Sequence, residues 1–269
     1  MSEQAVAGLR LEAQAIREFG RSLSAEEWDR PSGCWGWSVK DVFSHMGCVF
    51  HGFIEPDISP LPAFQDVELE NEVPVATRRS WSAKEVLEEF EEFSDPAIDV
   101  LASFQAPETR DAPFPAGTLG TYPTHLFANA LMFDHFTHLR FDLLAPFGPV
   151  ERPHPEIDEV RVRPGVEWIF AGMNTMEAVK GPILRVLTKP VVIELTGPGG
   201  GTWMLRPGPG DSFLVETEAG AEEGAARATG SAYLFEAWAT KRLDWRRAGV
   251  RLSGDEDLAS RVFDAINFI

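Results

Sequence analysis

Apolar residues recur at helical spacing in four stretches of the first half of the chain, and that recurrence sets the expected architecture. From about Glu3 to Leu23, the residues Leu9, Leu11, Ile16, Phe19 and Leu23 form one stripe. "PSGCWGWSVKDVFSHMGCVF" gives a loop and then a second helix, with Ser38 as N-cap and Asp41 in the first turn, where a carboxylate suits the helix dipole. A third helix starts near "SAKEVLEEFEEF", capped by Ser82, with Val86, Leu87, Phe90 and Phe93 inward and the acidic residues on a solvated face. The fourth runs from about Thr124 to Leu144 and stops before Pro146. Four amphipathic helices predict a four-helix bundle over residues 1–148.

"APFGPVERPHPEIDE" carries four prolines and marks a boundary. Beyond it the pattern is mixed. "GVEWIFAGMNTMEAVKGPILRVL" reads as helix, while "PVVIELTG", "GTWMLRPG" and "DSFLVETEAG" read as strands punctuated by Gly and Pro. "SAYLFEAWATKR" returns to helix, "AGVRLSGD" to strand, and "EDLASRVFDAIN" closes with a helix. Residues 156–269 are therefore expected to form an α+β domain, and the whole chain falls in the α+β class. "GPGGG" is a hairpin turn, because a phosphate loop would end in Lys-Ser/Thr and lead into a helix.

Composition narrows the function. The 269 residues include 8 Trp and 19 Phe, ample for a packed core. A net charge of −18 opposes binding to nucleic acid or to an anionic membrane surface. Two cysteines, Cys34 and Cys48, are too few for a disulfide framework. With no apolar run long enough to span a bilayer and an amphipathic N-terminus unlike a secretion signal, a cytoplasmic protein is expected.

The densest chemistry lies in "LMFDHFTHLRFD", Leu131 to Asp142. Asp134 and His138 are four apart and share a helix face, Asp142 continues that row, and His135 lies about 100° round by the ~3.6-residue period. In the second helix, His45 sits among Val42, Phe43, Met46 and Val49 and must face the core or a cleft. If these helices pack together, His45, Asp134 and His138 converge, giving three protein ligands and an open position, as in catalytic zinc sites. By spacing alone, a surface ion pair and a hydrogen-bonded core histidine are the competing readings. Cys48, three residues after His45, reads as a small buried hydrophobe.

"GWSVKDVFSHM", with its W-S-x-x-D-x-x-x-H pattern, and "DHFTHLRFDLL" resemble the DinB-like bundle of the mycothiol-dependent maleylpyruvate isomerase family. "ATGSAYLFEAWATKR" and "VRLSGDEDLASRVFDAIN" are similar to that family's C-terminal domain, which resembles sterol carrier proteins. The resemblance implies zinc, or another divalent metal, held by His45, Asp134 and His138. The family's isomerases have Glu where this chain has Asp134, so either the helix approaches the metal more closely or the site binds it differently. Trp35 and Trp37 are read as packing residues, with Trp37 also lining the cleft that takes the thiol cofactor. The resemblance further implies Arg242, in "WATKRL", as the catalytic arginine of the second half; the competing reading is a helix-end charge.

These readings point to a zinc-dependent enzyme that uses a small thiol, mycothiol, for cis-trans isomerisation of a small electrophile such as maleylpyruvate, or for thiol transfer to one. Arg242, with Arg140, would supply local positive charge for a carboxylate. A monomer or weak homodimer is expected. Two alternatives stand beside this: a non-catalytic module enclosing an apolar ligand, and a metal-dependent hydrolase on the same bundle.

Overall fold

The computed structural model describes residues 2–56, 67–217 and 226–268. The chain divides into two compact units, one of residues 1–118 with 122–156 and one of residues 119–121 with 157–269.

The first unit is helical, and its caps follow the sequence. Helix α1 (Ser2–Ser22) is followed by a single turn, α2 (Ala25–Trp28), and then α3 (Val39–Ile54). Ser38 and Asp41 form a capping box on α3: the Ser38 hydroxyl accepts from the Asp41 amide (3.2 Å) and the Asp41 carboxylate accepts from the Ser38 amide (2.9 Å). The W-S-x-x-D motif is thus mainly a helix start. Ser82 and Glu85 make the same box on α5 (Ala83–Ser103). Helix α4 (Val67–Arg78), in what reads as a long connection, carries Pro74 and few apolar residues, which is why periodicity misses it.

Helix α3 packs on α5, and α1 on α5 and α6 (Phe127–Thr137). The core centres on Phe43, whose ring meets Trp28 at 4.6 Å, Phe19 at 6.0 Å and Phe90 at 6.2 Å. Leu9, Ile16 and Phe19 are buried as expected, but Leu11 is 42% exposed, because two residues of helix turn it about 200° from Leu9. Not every acid of α5 is solvated: Glu89 is buried, takes both prongs of Arg78 (2.7 and 2.6 Å) and lies 2.6 Å from His51 Nδ1.

The expected fourth helix is three kinds of helix in succession. A 3-10 turn (Thr124–Leu126) leads into α6, which passes into a π-helical segment, His138–Leu143. The Leu144 amide bonds the Leu139 carbonyl at 3.1 Å, five residues back, while the Asp142 carbonyl accepts from the Gly33 amide at 2.8 Å and the Leu143 carbonyl from the Val150 amide at 3.0 Å. Carbonyls at this helix end are therefore taken by two other chain segments, and the widened turn accommodates them.

In the second unit α7 (Glu159–Met173) and α8 (Glu177–Leu184) replace the single expected helix, broken where Met176 is extended. The sheet runs β5-β4-β3-β6-β7, from β3 (Val191–Thr196), β4 (Gly201–Pro207), β5 (Phe213–Thr217), β6 (Ala226–Ser231) and β7 (Arg251–Ser253). The short strands β1 (Pro113–Pro115) and β2 (Thr121–Pro123) pair apart from it. Val191 of β3 faces Leu205 of antiparallel β4 on one side and Ala226 of parallel β6 on the other. Strand β6, "ARATGS", is small and polar and carries no alternating signal, so the sequence reading passes over it. Residues Glu218 to Gly220 of the expected strand "DSFLVETEAG" lie outside the described residues. Helices α9 (Ala232–Ala239) and α10 (Glu256–Ala265) complete the unit, whose core is a row of rings: Trp203, Phe170, Phe235, Trp238 and Phe263, with successive centroids 4.6, 5.1, 4.8 and 5.1 Å apart. No helix among the described residues is long and apolar enough to cross a membrane.

Candidate metal centre

Helix α3 presents His45 toward the junction of α6 with the π segment, where Asp134 and His138 stand. His45 Nε2 lies 3.0 Å from Asp134 Oδ1, and His138 Nε2 lies 3.5 Å from the same oxygen. The two imidazoles meet edge to face at 5.0 Å. Those separations match the edge of a tetrahedron around a zinc ion: bonds of ~2.0–2.1 Å put ligand atoms about 3.3–3.4 Å apart. Two imidazole nitrogens and a carboxylate oxygen are also a donor set that suits zinc. The short Asp134 side chain brings Oδ1 within 3.5 Å of both nitrogens.

Electrostatics reinforce the cluster. Burial disfavours the charge on Asp134, but the His45 and His138 imidazoles and hydrogen bonds from His135 and His138 outweigh it and hold the carboxyl well below the usual range. Burial likewise disfavours imidazolium at His138, yet Asp134, Cys34 and Asp142 raise its affinity for a proton well above that of a free imidazole. A divalent cation would take the place of that proton.

Around this trio the supporting contacts are specific. His138 Nδ1 donates to Asp142 Oδ2 at 2.8 Å, which leaves Nε2 as the free ligand atom, an arrangement common to metal-binding histidines. His45 Nδ1 has no hydrogen-bond partner among the described residues. His135 is fully buried; its Nδ1 lies between the Leu131 carbonyl at 2.9 Å and Asp134 Oδ2 at 3.2 Å, and its ring packs on Phe50 at 4.3 Å.

The loop before α3 closes over the site. Gly36, at φ 80°, supplies the left-handed residue of a turn in which the Trp37 amide reaches the Cys34 carbonyl at 3.1 Å. The turn places the Trp37 ring 5.3 Å from His45, with its indole N–H donating to Glu72 at 2.8 Å. It also turns Trp35 outward, 99% exposed, so Trp35 is not a packing residue. Cys34 Sγ comes to rest 3.7 Å from His138 Nδ1, a proximity that no spacing in the sequence betrays.

Arg140 is withdrawn from substrate chemistry. It is fully buried, ion-paired with buried Glu12 of α1, and lies over the Phe136 ring at 3.9 Å. Arg242 is half-buried in the second unit, in the turn just after α9, where Lys241 takes the left-handed conformation (φ 60°) that ends the helix. Cys48 is half-buried rather than the fully buried residue expected; it donates to the His45 carbonyl at 3.1 Å, and desolvation pushes its thiol up to about 12. We expect Cys48 to resist alkylation at neutral pH in the native protein and to react on unfolding, as mapped by peptide mass spectrometry; rapid native labelling of Cys48 would contradict this.

Residues 9–140 match the family model described as the mycothiol maleylpyruvate isomerase N-terminal domain. Two solved structures are similar over nearly the whole chain: mycothiol-dependent maleylpyruvate isomerase (TM-score 0.55, 15% identity) and a histidine-to-alanine mutant of it (TM-score 0.56, 14% identity), each alignment covering 95% of this chain and 94% of the other. At these identities the likeness establishes the fold. Comparison with curated protein sequences gives no match.

Proposed function

We propose, from the match of residues 9–140 to the mycothiol maleylpyruvate isomerase N-terminal domain family, that the chain is a zinc-dependent enzyme acting through a small thiol such as mycothiol. The reaction is cis-trans isomerisation of a small electrophile of the maleylpyruvate kind, or transfer of the thiol to one. The observation that carries this reading is the meeting of His45 Nε2, Asp134 Oδ1 and His138 Nε2 around one point.

His45, Asp134 and His138 would hold the metal, and a zinc ion bound there would lower the pKa of a coordinated thiol so that it is a thiolate at neutral pH. Asp142 fixes the tautomer and orientation of His138 through the Nδ1 bond. Trp37, beside His45, offers an apolar wall for the thiol cofactor. Arg242 would hold a substrate carboxylate, the task for which a guanidinium fork is suited.

The apolar-ligand alternative is disfavoured by the row of rings from Trp203 to Phe263, which fills the core of the second unit. A hydrolase using the same trio would work without added thiol. Turnover of maleylpyruvate by zinc-loaded protein that depends on mycothiol supports the proposal; thiol-independent hydrolysis would replace it.

Two substitutions refine the picture. Asp134→Glu restores the residue found in the family's isomerases, but Asp134 Oδ1 already sits at ligand spacing from both imidazoles, so a longer side chain must displace them. We expect zinc affinity to fall or stay level, and a competition titration showing tighter binding would mean that Asp134 is too short. Arg242→Ala should leave zinc content unchanged and lower kcat/KM for an anionic substrate about 10–100-fold, the loss of one charge-assisted anchor of ~1.5–3 kcal/mol. Unchanged kinetics would remove Arg242 from the site.

A further inference from the structure

The His138 ring stands between two donor sets. Its Nε2 faces Asp134 and His45; its Nδ1 faces Asp142 Oδ2 at 2.8 Å and Cys34 Sγ at 3.7 Å. In each set, Cys34–His138–Asp142 and His45–Asp134–His138, one ligand atom per residue lies within 4.8 Å of the others. From the juxtaposition of Cys34, His138 Nδ1 and Asp142 we infer a second cation position, selective for a thiophilic divalent ion and exclusive with the first.

Geometry and chemistry agree on the class of ion. Bonds of ~2.3 Å to sulfur and ~2.0 Å to nitrogen set a tetrahedral S–N edge of about 3.5 Å, close to the observed 3.7 Å. One thiolate, one imidazole and one carboxylate favour zinc, cobalt or cadmium over magnesium or calcium. The position is also built rather than accidental. The Gly33 amide bonds the Asp142 carbonyl at 2.8 Å, and a Cβ on residue 33 would stand 2.8 Å from Asp142 Cα, so only glycine lets the Cys34 loop lie this close to the π segment. Asp142 is 1% and His138 8% exposed.

Exclusivity follows from the ring itself. A neutral imidazole has one lone-pair nitrogen and carries its proton on the other. With a cation on Nε2, the Nδ1 proton is donated to Asp142. A cation at the Cys34 position takes Nδ1, so the ring proton moves to Nε2, where it points at Asp134; the Cys34 thiol proton passes to solvent. His138 then no longer serves the first position. A soft cation at Cys34 is thereby a competitive inhibitor of the metal centre. The second position does not depend on the enzyme assignment made above.

Cobalt(II) is the probe, because its thiolate charge-transfer band in the near ultraviolet reports sulfur ligation directly. In the full-length Asp134→Asn and His45→Ala variants, which disable the first position, cobalt should produce that band, and adding Cys34→Ser should abolish it. In the wild-type protein the first equivalent should give visible bands without it. If neither variant shows the band, or if it survives Cys34→Ser, the second position does not exist. A band from the first equivalent in wild type would uphold the second position and displace His45, Asp134 and His138 as the primary ligand set.

Discussion

His45→Ala should lose zinc from the His45–Asp134–His138 position and, with it, thiol-dependent turnover. In the proposed site His45 would supply one of three protein donors, and its Nε2 stands 3.0 Å from Asp134 Oδ1, which also faces His138. Losing one of three ligands should weaken zinc by more than the ~10–100-fold typical of losing a supporting contact. The remaining pair, Asp134 and His138, is an i,i+4 ion pair on one chain segment and has no reason to prefer zinc to a proton. Metal analysis of the dialysed variant checks this. Stoichiometric zinc in a His45→Ala, Cys34→Ser double variant, where the Cys34 position is disabled as well, would mean that another residue completes the site.

Glu12→Ala should cost the first unit about 3–5 kcal/mol, the usual penalty for stranding one member of a buried ion pair. Both Glu12 and Arg140 are fully buried, and among the described residues the Arg140 guanidinium otherwise meets the Glu156 carbonyl at 3.3 Å and the face of Phe136. Without Glu12 a full positive charge is left in the core. Replacing both residues together, Glu12→Leu with Arg140→Met, should recover most of the loss, since no charge then remains to be desolvated. Denaturant unfolding followed by tryptophan fluorescence measures both. A single Glu12→Ala costing less than ~1 kcal/mol would show that Arg140 finds water or another acid. Because Arg140 belongs to the same π segment as His138 and Asp142, Glu12→Ala should also weaken zinc binding.

The architecture of the helical half was largely legible because its signals are local. Ser38 and Ser82 mark helix starts by chemistry that needs only three residues, and the stripe of Leu9, Ile16 and Phe19 needs only one helix. The trio of His45, Asp134 and His138 was legible for a related reason: polar residues stand out in apolar surroundings, and two of them share a helix face. What escaped depends on partners distant in sequence. The π turn forms where the Asp142 carbonyl is taken by the amide of Gly33, which no window around Asp142 contains. Arg140 reads as a spare positive charge until its partner, 128 residues away, is seen. Cys34 looked like an isolated thiol because the Gly36 turn that swings it to His138 has no periodic signature. Strand β6 is held by pairing to β3 and β7 rather than by its own side chains.

The proposed centre would have two imidazoles and a carboxylate as its ligands, with a position left for an external thiol. X-ray absorption at the zinc edge, on protein loaded with one equivalent of zinc and then given mycothiol, tests that most directly. The predicted result is a first shell of nitrogen and oxygen alone at ~2.0–2.1 Å before the thiol is added, and one sulfur neighbour at ~2.3 Å afterwards. Sulfur present before the thiol, or none after it, would contradict the assignment of His45, Asp134 and His138 as a thiol-activating zinc site.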